Sequence, residues 1–318
     1  KITRPIWLGW GKNQPNNFEV GKTGVPVQLW GRMDVEIIDL EFQGFPEVIA
    51  AYLVSGPDGK ILIETGPEST RPVLVEKLKA LGISPGDIAA LFVTHIHLDH
   101  AGAVGFWTGE GVPVYVHPKG AKHLIDPEAL VSSARAVYGE VFDYLWGQMI
   151  PSPENLVRTI EDGETVTVAG LEITAIDSPG HAFHHHCYQI NDALFTGDAV
   201  GARISPEGFL SVTSAPTQFH LEYTLETLEK IRNLTPVVLY PTHYGPIVEV
   251  GEHLDSYRDA VELNVQFIHD RMEEGMDADT MQVAYKAFTM EQSFRAGFPA
   301  GRWDALEAIN GTAMCADG

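Results

Sequence analysis

The sequence predicts an α/β protein, and three observations lead to this class. Apolar segments of strand length recur along the chain, and several are followed by stretches whose apolar residues have helical spacing. Turn residues separate some neighbouring strands, which favours hairpins. Hydrophobic residues make up 44% of the 318 residues and charged residues 20%, so the chain can bury a full core. We expect one large globular unit with additions.

The predicted strands occur as hairpins and as single segments. Residues 48–66 contain two apolar segments around a Pro-Asp-Gly turn, and residues 187–198 repeat this form around an Asn-Asp turn. Residues 164–181 have alternating strand character with an Ala-Gly turn. Single strands are predicted at 35–42, 87–94, 112–118 and 237–243.

Two helices are predicted between these strands. Residues 71–83 have helical spacing that places Leu74, Leu78 and Leu81 on one face, and a glycine follows as the stop. Residues 221–234 predict an amphipathic helix that leads into the last strand.

The order of elements divides the chain into a core and its additions. We expect an N-terminal extension over residues 1–45, a core over 46–250 with an aromatic-rich helical insert at 128–149, and a helical C-terminal extension over 251–318. The extension carries an apolar stripe that either caps the core or forms a homodimer interface. The stripe comprises Leu254, Tyr257, Ala260, Val261, Val265 and Ile268.

Composition limits the partners and the compartment. The formal net charge of −22 repels phosphate backbones, so we expect no nucleic acid as a partner. No apolar run reaches the roughly 20 residues that cross a bilayer, and no signal peptide is recognisable, so we expect no membrane partner and a cytoplasmic protein. The chain begins at Lys1, which leaves room for a processed N-terminus. Cys187 and Cys315 provide no disulfide framework.

Titratable side chains gather directly after the apolar strands. The densest group is the HIHLDH stretch at residues 95–100. His95 and His97 alternate beyond a strand, so both can point into one cavity, and Asp99 and His100 follow as the chain turns. So many donors in a small space would desolvate or repel one another unless a cation organised them, which predicts a metal site. Further candidates follow later strands: His181, Asp198 and His243.

This set of motifs over residues 46–250 resembles the metallo-β-lactamase superfamily of binuclear metallohydrolases. The resemblance implies an αββα sandwich with the metals at one edge. It also implies that the first metal is held by His95, His97 and His181. The second metal would be held by Asp99, His100 and His243, and Asp198 would bridge the two.

The implied cofactor is a pair of divalent metal ions. Imidazole and carboxylate ligands suit zinc, which we expect, and also iron or manganese. Two ions about 3.5 to 4 Å apart can share a water and supply a bridging hydroxide near neutral pH. Asp99 is the expected catalytic residue, because it can orient the hydroxide or carry a proton. We expect hydrolysis of a small ester-like substrate: a lactone, carboxylic ester, thioester or phosphoester.

Four positions near the expected ligands depart from the family pattern or extend it. Glu64 stands where the family has an aspartate close to the ligands. His185 corresponds to a second histidine that the family often has, and His184 and His186 on either side of it are expected to be partly exposed at the start of a strand.

The alternatives within the family differ in chemistry. Asp198 argues against a true β-lactamase activity, since those enzymes lack the bridging aspartate. The main alternative is an oxygenase of the persulfide dioxygenase type, which uses one iron. Quorum-type lactonases use a tyrosine near the metals, and Tyr223 or Tyr244 could take that part here.

The aromatic insert and the loop after Asp198 are expected to border the mouth of the site, because both lie between strand ends that carry candidate ligands. The aromatic side chains would then form an apolar wall, and packing against the core is an equally good reading. These side chains are Tyr138, Phe142, Tyr144 and Trp146.

Overall fold

The computed structural model describes residues 33–204 and 209–318. The predicted N-terminal extension therefore lies mostly outside the described residues. Residues 34–39 of it form a strand at the edge of the first sheet, antiparallel to the strand at residues 50–56. Among the described residues, no helix is both long and apolar enough to span a bilayer.

Eleven strands form two mixed sheets in the described ranges. The first sheet, in spatial order, contains β1 (Asp34–Asp39), β2 (Ala50–Gly56), β3 (Gly59–Ile63), β4 (Ile88–Phe92), β5 (Val114–Val116) and β6 (Val157–Thr159). The second contains β11 (Val238–Pro241), β10 (Ala193–Gly197), β9 (His186–Ile190), β8 (Leu171–Asp177) and β7 (Thr165–Val168). The three predicted turns each join antiparallel neighbours, so the predicted hairpins are confirmed.

The helices follow the order of the sequence prediction. They are α1 (Arg71–Ala80), α2 (Leu98–Ala101), α3 (Val104–Gly109), α4 (Pro118–Ile125), α5 (Glu128–Tyr138), α6 (Phe142–Trp146), α7 (Leu221–Leu234), α8 (Val250–Glu273), α9 (Ala278–Arg295), α10 (Trp303–Ile309) and α11 (Thr312–Asp317). The prediction for Leu81 is wrong: α1 ends at Ala80, the chain turns through a left-handed Gly82, and Leu81 is 48% exposed.

The two sheets pack face to face around an aromatic core. Tyr52 of β2 meets Phe195 of β10, and Phe92 of β4 meets Tyr188 of β9, each edge-to-face with ring centroids about 5 Å apart (5.5 and 5.2 Å). Helices cover both outer faces, since α1 and α3 pack in the cluster on the first sheet and α7 and α8 in the cluster on the second. The αββα sandwich is thus confirmed.

The aromatic insert mostly packs into the fold. Phe142 and Trp146 are buried in the core cluster of the first sheet, where the Trp146 ring stacks on Phe42. Tyr144 is 70% exposed. For Phe142 and Trp146 the packing alternative is confirmed and the apolar wall is wrong, because this side of the short α6 faces the core. Tyr138 is half-buried, and its hydroxyl lies 3.7 Å from Met314 Sδ of α11.

Candidate metal centre

The ends of strands from both sheets meet at one edge of the sandwich. His95 and His97 follow β4, His181 follows β8, and Asp198 directly follows β10. A backbone hydrogen bond from the His186 amide to the Thr94 carbonyl (2.8 Å) joins the two sheets at this edge. The loops after these strands therefore bring distant parts of the sequence to one place.

Three imidazole nitrogens converge in the first group. The His95 Nε2 atom lies 2.9 Å from His97 Nδ1 and 3.2 Å from His181 Nε2, and the last two atoms are 2.9 Å apart. Three neutral rings facing one point cannot all be satisfied by hydrogen bonds to one another, because each needs a donor opposite its lone pair. Three converging lone pairs are the arrangement that binds a metal ion.

A second group lies beside the first. The His243 Nε2 atom is 3.1 Å from Asp99 Oδ2, and the His100 Nε2 atom is 3.5 Å from the same oxygen. The potential ligand atoms of these three residues all lie within 4.8 Å of one another. This group combines two imidazoles with a carboxylate, a donor set that suits a divalent transition metal.

Asp198 lies between the two groups. Its Oδ1 atom is 3.3 Å from His100 Nε2 and 3.6 Å from His243 Nε2, whereas its Oδ2 atom is 3.5 Å from His181 Nε2. Each carboxylate oxygen thus faces a different group. This is the placement of a bridging ligand.

Buried polar atoms without partners show that a cation fits here. Both ring nitrogens of His100 and the Oδ1 atom of Asp198 are buried and lack hydrogen-bond partners. Burying such groups unpaired costs about 1 to 3 kcal/mol each, more when charged. A cation at the second group would satisfy His100 Nε2 and Asp198 Oδ1, whereas His100 Nδ1 faces Glu64. The remaining donors have the right chemistry, so the residues present fit a pair of divalent ions.

The outer nitrogens of the rings fix their tautomers. His181 Nδ1 donates to the Thr213 carbonyl (2.7 Å), and His243 Nδ1 donates to the Val48 carbonyl (2.8 Å). With Nδ1 protonated, the Nε2 lone pair of each ring is free to face the centre. No sequence motif points to Val48 or Thr213, since they act through main-chain carbonyls that any residue provides.

Glu64 reaches the candidate ligands through threonines. Its Oε1 atom accepts hydrogen bonds from Thr94 Oγ1 (2.5 Å) and Thr242 Oγ1 (3.4 Å), and lies 3.4 Å from His100 Nδ1. Thr94 Oγ1 in turn accepts from His95 Nδ1 (3.1 Å). Glu64 is therefore buried against both groups, as its place in the motif predicted.

Burial and neighbouring imidazoles keep two rings of the first group, His95 and His97, neutral. Burial lowers the pKa of His95, with His100 adding to the effect, and burial with the neighbouring His181 lowers the pKa of His97 to about 3. Neutral imidazole is the form that binds metal.

The carboxylates stay ionised for a different reason. Burial opposes ionisation of Asp99 and Asp198, but the adjacent His100 and His243 outweigh it, so the pKa of each carboxyl lies below its usual range. Burial lowers the pKa of His100 and of His243, but Asp99 and Asp198 outweigh it and raise the pKa of both rings. A cation bound here would displace the protons of these rings.

The histidines around His185 are all buried. His185 Nδ1 donates to Ser178 Oγ (2.8 Å), and its Nε2 accepts from the Asp198 amide (3.2 Å), so this ring supports Asp198. The expectation that His184 and His186 are partly exposed is wrong, since they are 6% and 0% exposed. The His184 ring packs 5.5 Å from His97, and the His186 ring packs 4.4 Å from His117.

The two candidate tyrosines differ in their surroundings. Tyr223 is 39% exposed in the first turn of α7, where its ring stacks on His220. Tyr244 follows His243 directly but is half-buried against the core between the sheets. The lactonase-type role for either tyrosine stays a prediction.

A further His-Asp-His group lies apart from this centre. His117, Asp177 and His186 bring potential ligand atoms within 4.8 Å. However, His117 Nδ1 accepts a hydrogen bond from the Lys119 amide (3.0 Å), so its proton is on Nε2, which donates to Asp177 Oδ1 (3.0 Å). A protonated Nε2 has no lone pair for a metal, and this group is a hydrogen-bonded pair beside a third ring.

The αββα sandwich, the histidines at the strand ends and the carboxylate between the two groups are together typical of a metallohydrolase fold and site. The family model of the metallo-beta-lactamase superfamily matches residues 44–243, and the chain belongs to this superfamily.

Relatives and solved structures agree with this assignment. The chain is 26% identical over 235 residues to the metallo-beta-lactamase fold-containing protein ST1585 of Sulfurisphaera tokodaii, covering 70% of this chain and 84% of that protein. It is 24% identical to the probable metallo-hydrolase YqjP of Bacillus subtilis, covering 82% and 88%. The crystal structure of TTHA1429 from Thermus thermophilus superposes with a TM-score of 0.60 at 23% identity, covering 76% and 83%, and shows the same fold.

One fungal relative has a named activity. The chain is 30% identical over 164 residues to an atrochrysone carboxyl ACP thioesterase of Aspergillus fumigatus. The match covers 51% of this chain and 40% of the thioesterase. The chain likewise spans about half the length (54%) of the lactamase-like protein nscB from the same fungus.

Proposed function

We propose that the protein is a hydrolase that binds two divalent metal ions, with zinc as the expected metal, and cleaves a small ester-like substrate. One observation carries this proposal: the two oxygens of Asp198 face two separate groups of ligand atoms. A site for one metal has no need of a carboxylate shared in this way. Membership of the superfamily supports metal-dependent hydrolysis in general.

The proposed ligands are the seven side chains of the two groups and the bridge. His95, His97 and His181 would hold the first ion, Asp99, His100 and His243 would hold the second, and Asp198, which lies between the groups, would serve both. When bound, the two ions would polarise the scissile bond and lower the pKa of a water molecule towards neutrality.

The residues of the chain supply orientation and proton transfer. Thr213 and Val48 hold the rings of His181 and His243 through their carbonyls. Asp99 is ionised at neutral pH, so its carboxylate can accept the proton of the attacking water and pass it to the departing oxygen or sulfur. In the overall reaction, water adds to the carbonyl carbon, the ester or thioester bond breaks, and the leaving group takes the proton.

A carbonyl substrate is favoured over a phosphoester. The fungal relative is named as a thioesterase, and a net charge of −22 disfavours multiply charged phosphates. We therefore propose carboxylic esters, thioesters and lactones as the classes to test first. The proposal would give way to an oxygenase of the persulfide type if the protein held one iron and consumed oxygen.

Substitution of the bridge tests this function. Asp198→Ala and His95→Ala should each lower kcat/KM for p-nitrophenyl acetate and for an acyl thioester by more than about 100-fold, because removing even a partner of a ligand commonly costs roughly 10- to 100-fold. His123→Ala, at a half-buried position of α4 outside the proposed ligand set, is the matched histidine control and should retain the wild-type rate. An unchanged rate in Asp198→Ala would refute the assignment of the bridge.

A further inference from the structure

A cavity of about 410 Å³ lies among the C-terminal helices, beside the candidate metal centre. Its walls come from α8, α9 and α11, from the start of α7, and from the segment 212–214. This volume is within the roughly 300 to 1,000 Å³ of small-molecule sites. The proposed metal chemistry assigns no role to this cavity.

A single segment of chain separates the cavity from the metal centre. The Thr213 carbonyl accepts the hydrogen bond of His181 Nδ1, and Thr213 Oγ1 donates to the Asp198 carbonyl (3.0 Å). Its neighbours Val212 and Ser214 line the cavity. One wall of the cavity is therefore the same segment that contacts two candidate ligands.

Three buried polar side chains of the cavity have hydrogen-bond partners within the protein, whereas the buried His220 Nδ1 makes no hydrogen bond and lies 3.1 Å from Glu222 Oε2. The Tyr285 hydroxyl donates to Asn264 Oδ1 (2.7 Å), Asn264 Nδ2 donates to the Ala260 carbonyl (2.6 Å), and Ser214 Oγ donates to the Cys315 carbonyl (2.9 Å). These groups have their partners within the protein, so the deep part of the cavity favours an apolar occupant over a hydrogen-bonding one.

The apolar stripe of α8 continues into this cavity. Leu254, Tyr257 and Val261 are buried against the second sheet, which confirms that the stripe caps the sandwich. Val265 and Ile268 extend the stripe by two further turns, but they are half-buried and line the cavity. The cavity thus lies at the end of the stripe, where its side chains extend beyond the core and stay accessible.

Aromatic side chains connect the cavity with the chain around His181. Phe183, two residues after His181, is 39% exposed and meets Tyr223 edge-on at 6.3 Å. The Tyr223 ring stacks at 4.1 Å on His220, which lines the cavity. A molecule whose reactive end lies at the metal centre could therefore extend over an aromatic surface to the cavity.

We propose that this cavity binds the alkyl chain of an acyl substrate whose ester or thioester group is cleaved at the metal centre. The assignment to substrate rests on the proposed function, whereas the binding of an alkyl chain does not. The observations that carry the proposal are the wall at 212–214 shared with the metal centre, the three polar side chains with partners within the protein, and the accessible end of the α8 stripe.

Binding of neutral alkanols tests the cavity without any catalysis. Titration calorimetry with 1-butanol, 1-hexanol and 1-octanol should show affinity rising by up to about fourfold per methylene, the increment for burying one CH₂. Ile268→Trp fills the cavity and should weaken 1-octanol binding by more than about tenfold. Val283→Trp places the same ring at a site on α9 that is 71% exposed and outside the lining, and should bind as the wild type does.

The rates of ester hydrolysis then show whether the alkyl chain that the cavity binds is that of the substrate. In the wild type and in Val283→Trp, kcat/KM should rise from p-nitrophenyl acetate to the octanoate, and in Ile268→Trp this rise should disappear. No binding of 1-octanol, or equal binding by Ile268→Trp, overturns the cavity as an alkyl site. If alkanols bind normally but kcat/KM for the esters does not depend on chain length, the cavity does not bind the acyl chain of the substrate. Normal alkanol binding in a protein inactive on every ester contradicts the proposed function and not the cavity.

Discussion

Glu64 links both groups of candidate ligands. Its carboxylate accepts from Thr94, whose hydroxyl orients His95, and it approaches the His100 ring on the side away from the centre. It is 1% exposed and has a positive φ of 64°, a region that residues other than glycine seldom adopt. A residue held in this way acts through its neighbours, so its substitution should change metal retention more than the fold.

Glu64→Gln keeps the length of the side chain and removes its charge. We expect roughly 10- to 100-fold weaker metal retention, the usual effect of losing a partner of a metal ligand. Metal content after dialysis against graded chelator measures this. Glu172→Gln, on the exposed side of β8, is the control and should keep its metal. Equal retention in both variants would show that Glu64 does not support the ligands.

The aromatic-rich insert at residues 128–149 could be predicted as part of the active site because of its position in the sequence. An aromatic-rich helical segment between strand ends is consistent with both a wall and a packed element, and sequence spacing cannot distinguish them. The structure shows that α6 packs its Phe142 and Trp146 into the core and leaves Tyr144 outside. We expect the insert to contribute mainly to stability.

Trp146→Ala should therefore destabilise the protein by about 3 to 5 kcal/mol, the usual cost of removing a buried aromatic ring. Tyr144→Ala, two residues earlier and 70% exposed, should change the free energy of unfolding by no more than about 0.5 kcal/mol. Urea unfolding of both variants measures the difference. Similar losses in the two would mean that the insert does not pack as described.

Helix α8 carries a histidine that makes stability depend on pH. His253 is buried, and its Nε2 donates to the Val200 carbonyl (3.0 Å). Burial lowers its pKa to about 4. The unfolded chain, with an ordinary histidine pKa of about 6.5, then binds more protons than the folded chain between pH 6.5 and pH 4, so stability falls as the pH falls through this window.

His253→Gln should remove the loss of stability that protonation of this histidine causes at low pH. Between pH 7 and pH 5 the wild type should lose about 2 kcal/mol more stability than the variant, as follows from the shift between the two pKa values. Urea unfolding at the two pH values gives the comparison. A pH dependence that is the same in both proteins would show that His253 does not titrate in this range.

At the scale of the whole molecule, the chain order of strands and helices was predictable because hairpin turns and apolar spacing are local signals. The ends of strands from both sheets meet at one edge of the sandwich, which explains why four candidate ligands lie close together: His95, His181, Asp198 and His243. Their motifs were recognisable as a set. The hydrogen bonds that orient His243 and His181 were not predictable, because their acceptors are the main-chain carbonyls of Val48 and Thr213. The burial of His184 and His186 depends on how loops close over the sheet edge, which sequence spacing does not encode.

The central claim is that two metal ions share Asp198, and the most direct test is the metal content of the protein. Elemental analysis of protein purified without added metal or chelator should find two divalent ions per chain, with zinc expected, and about one or fewer in Asp198→Ala. One iron per chain in the wild type, or no metal in a folded protein, would contradict the account.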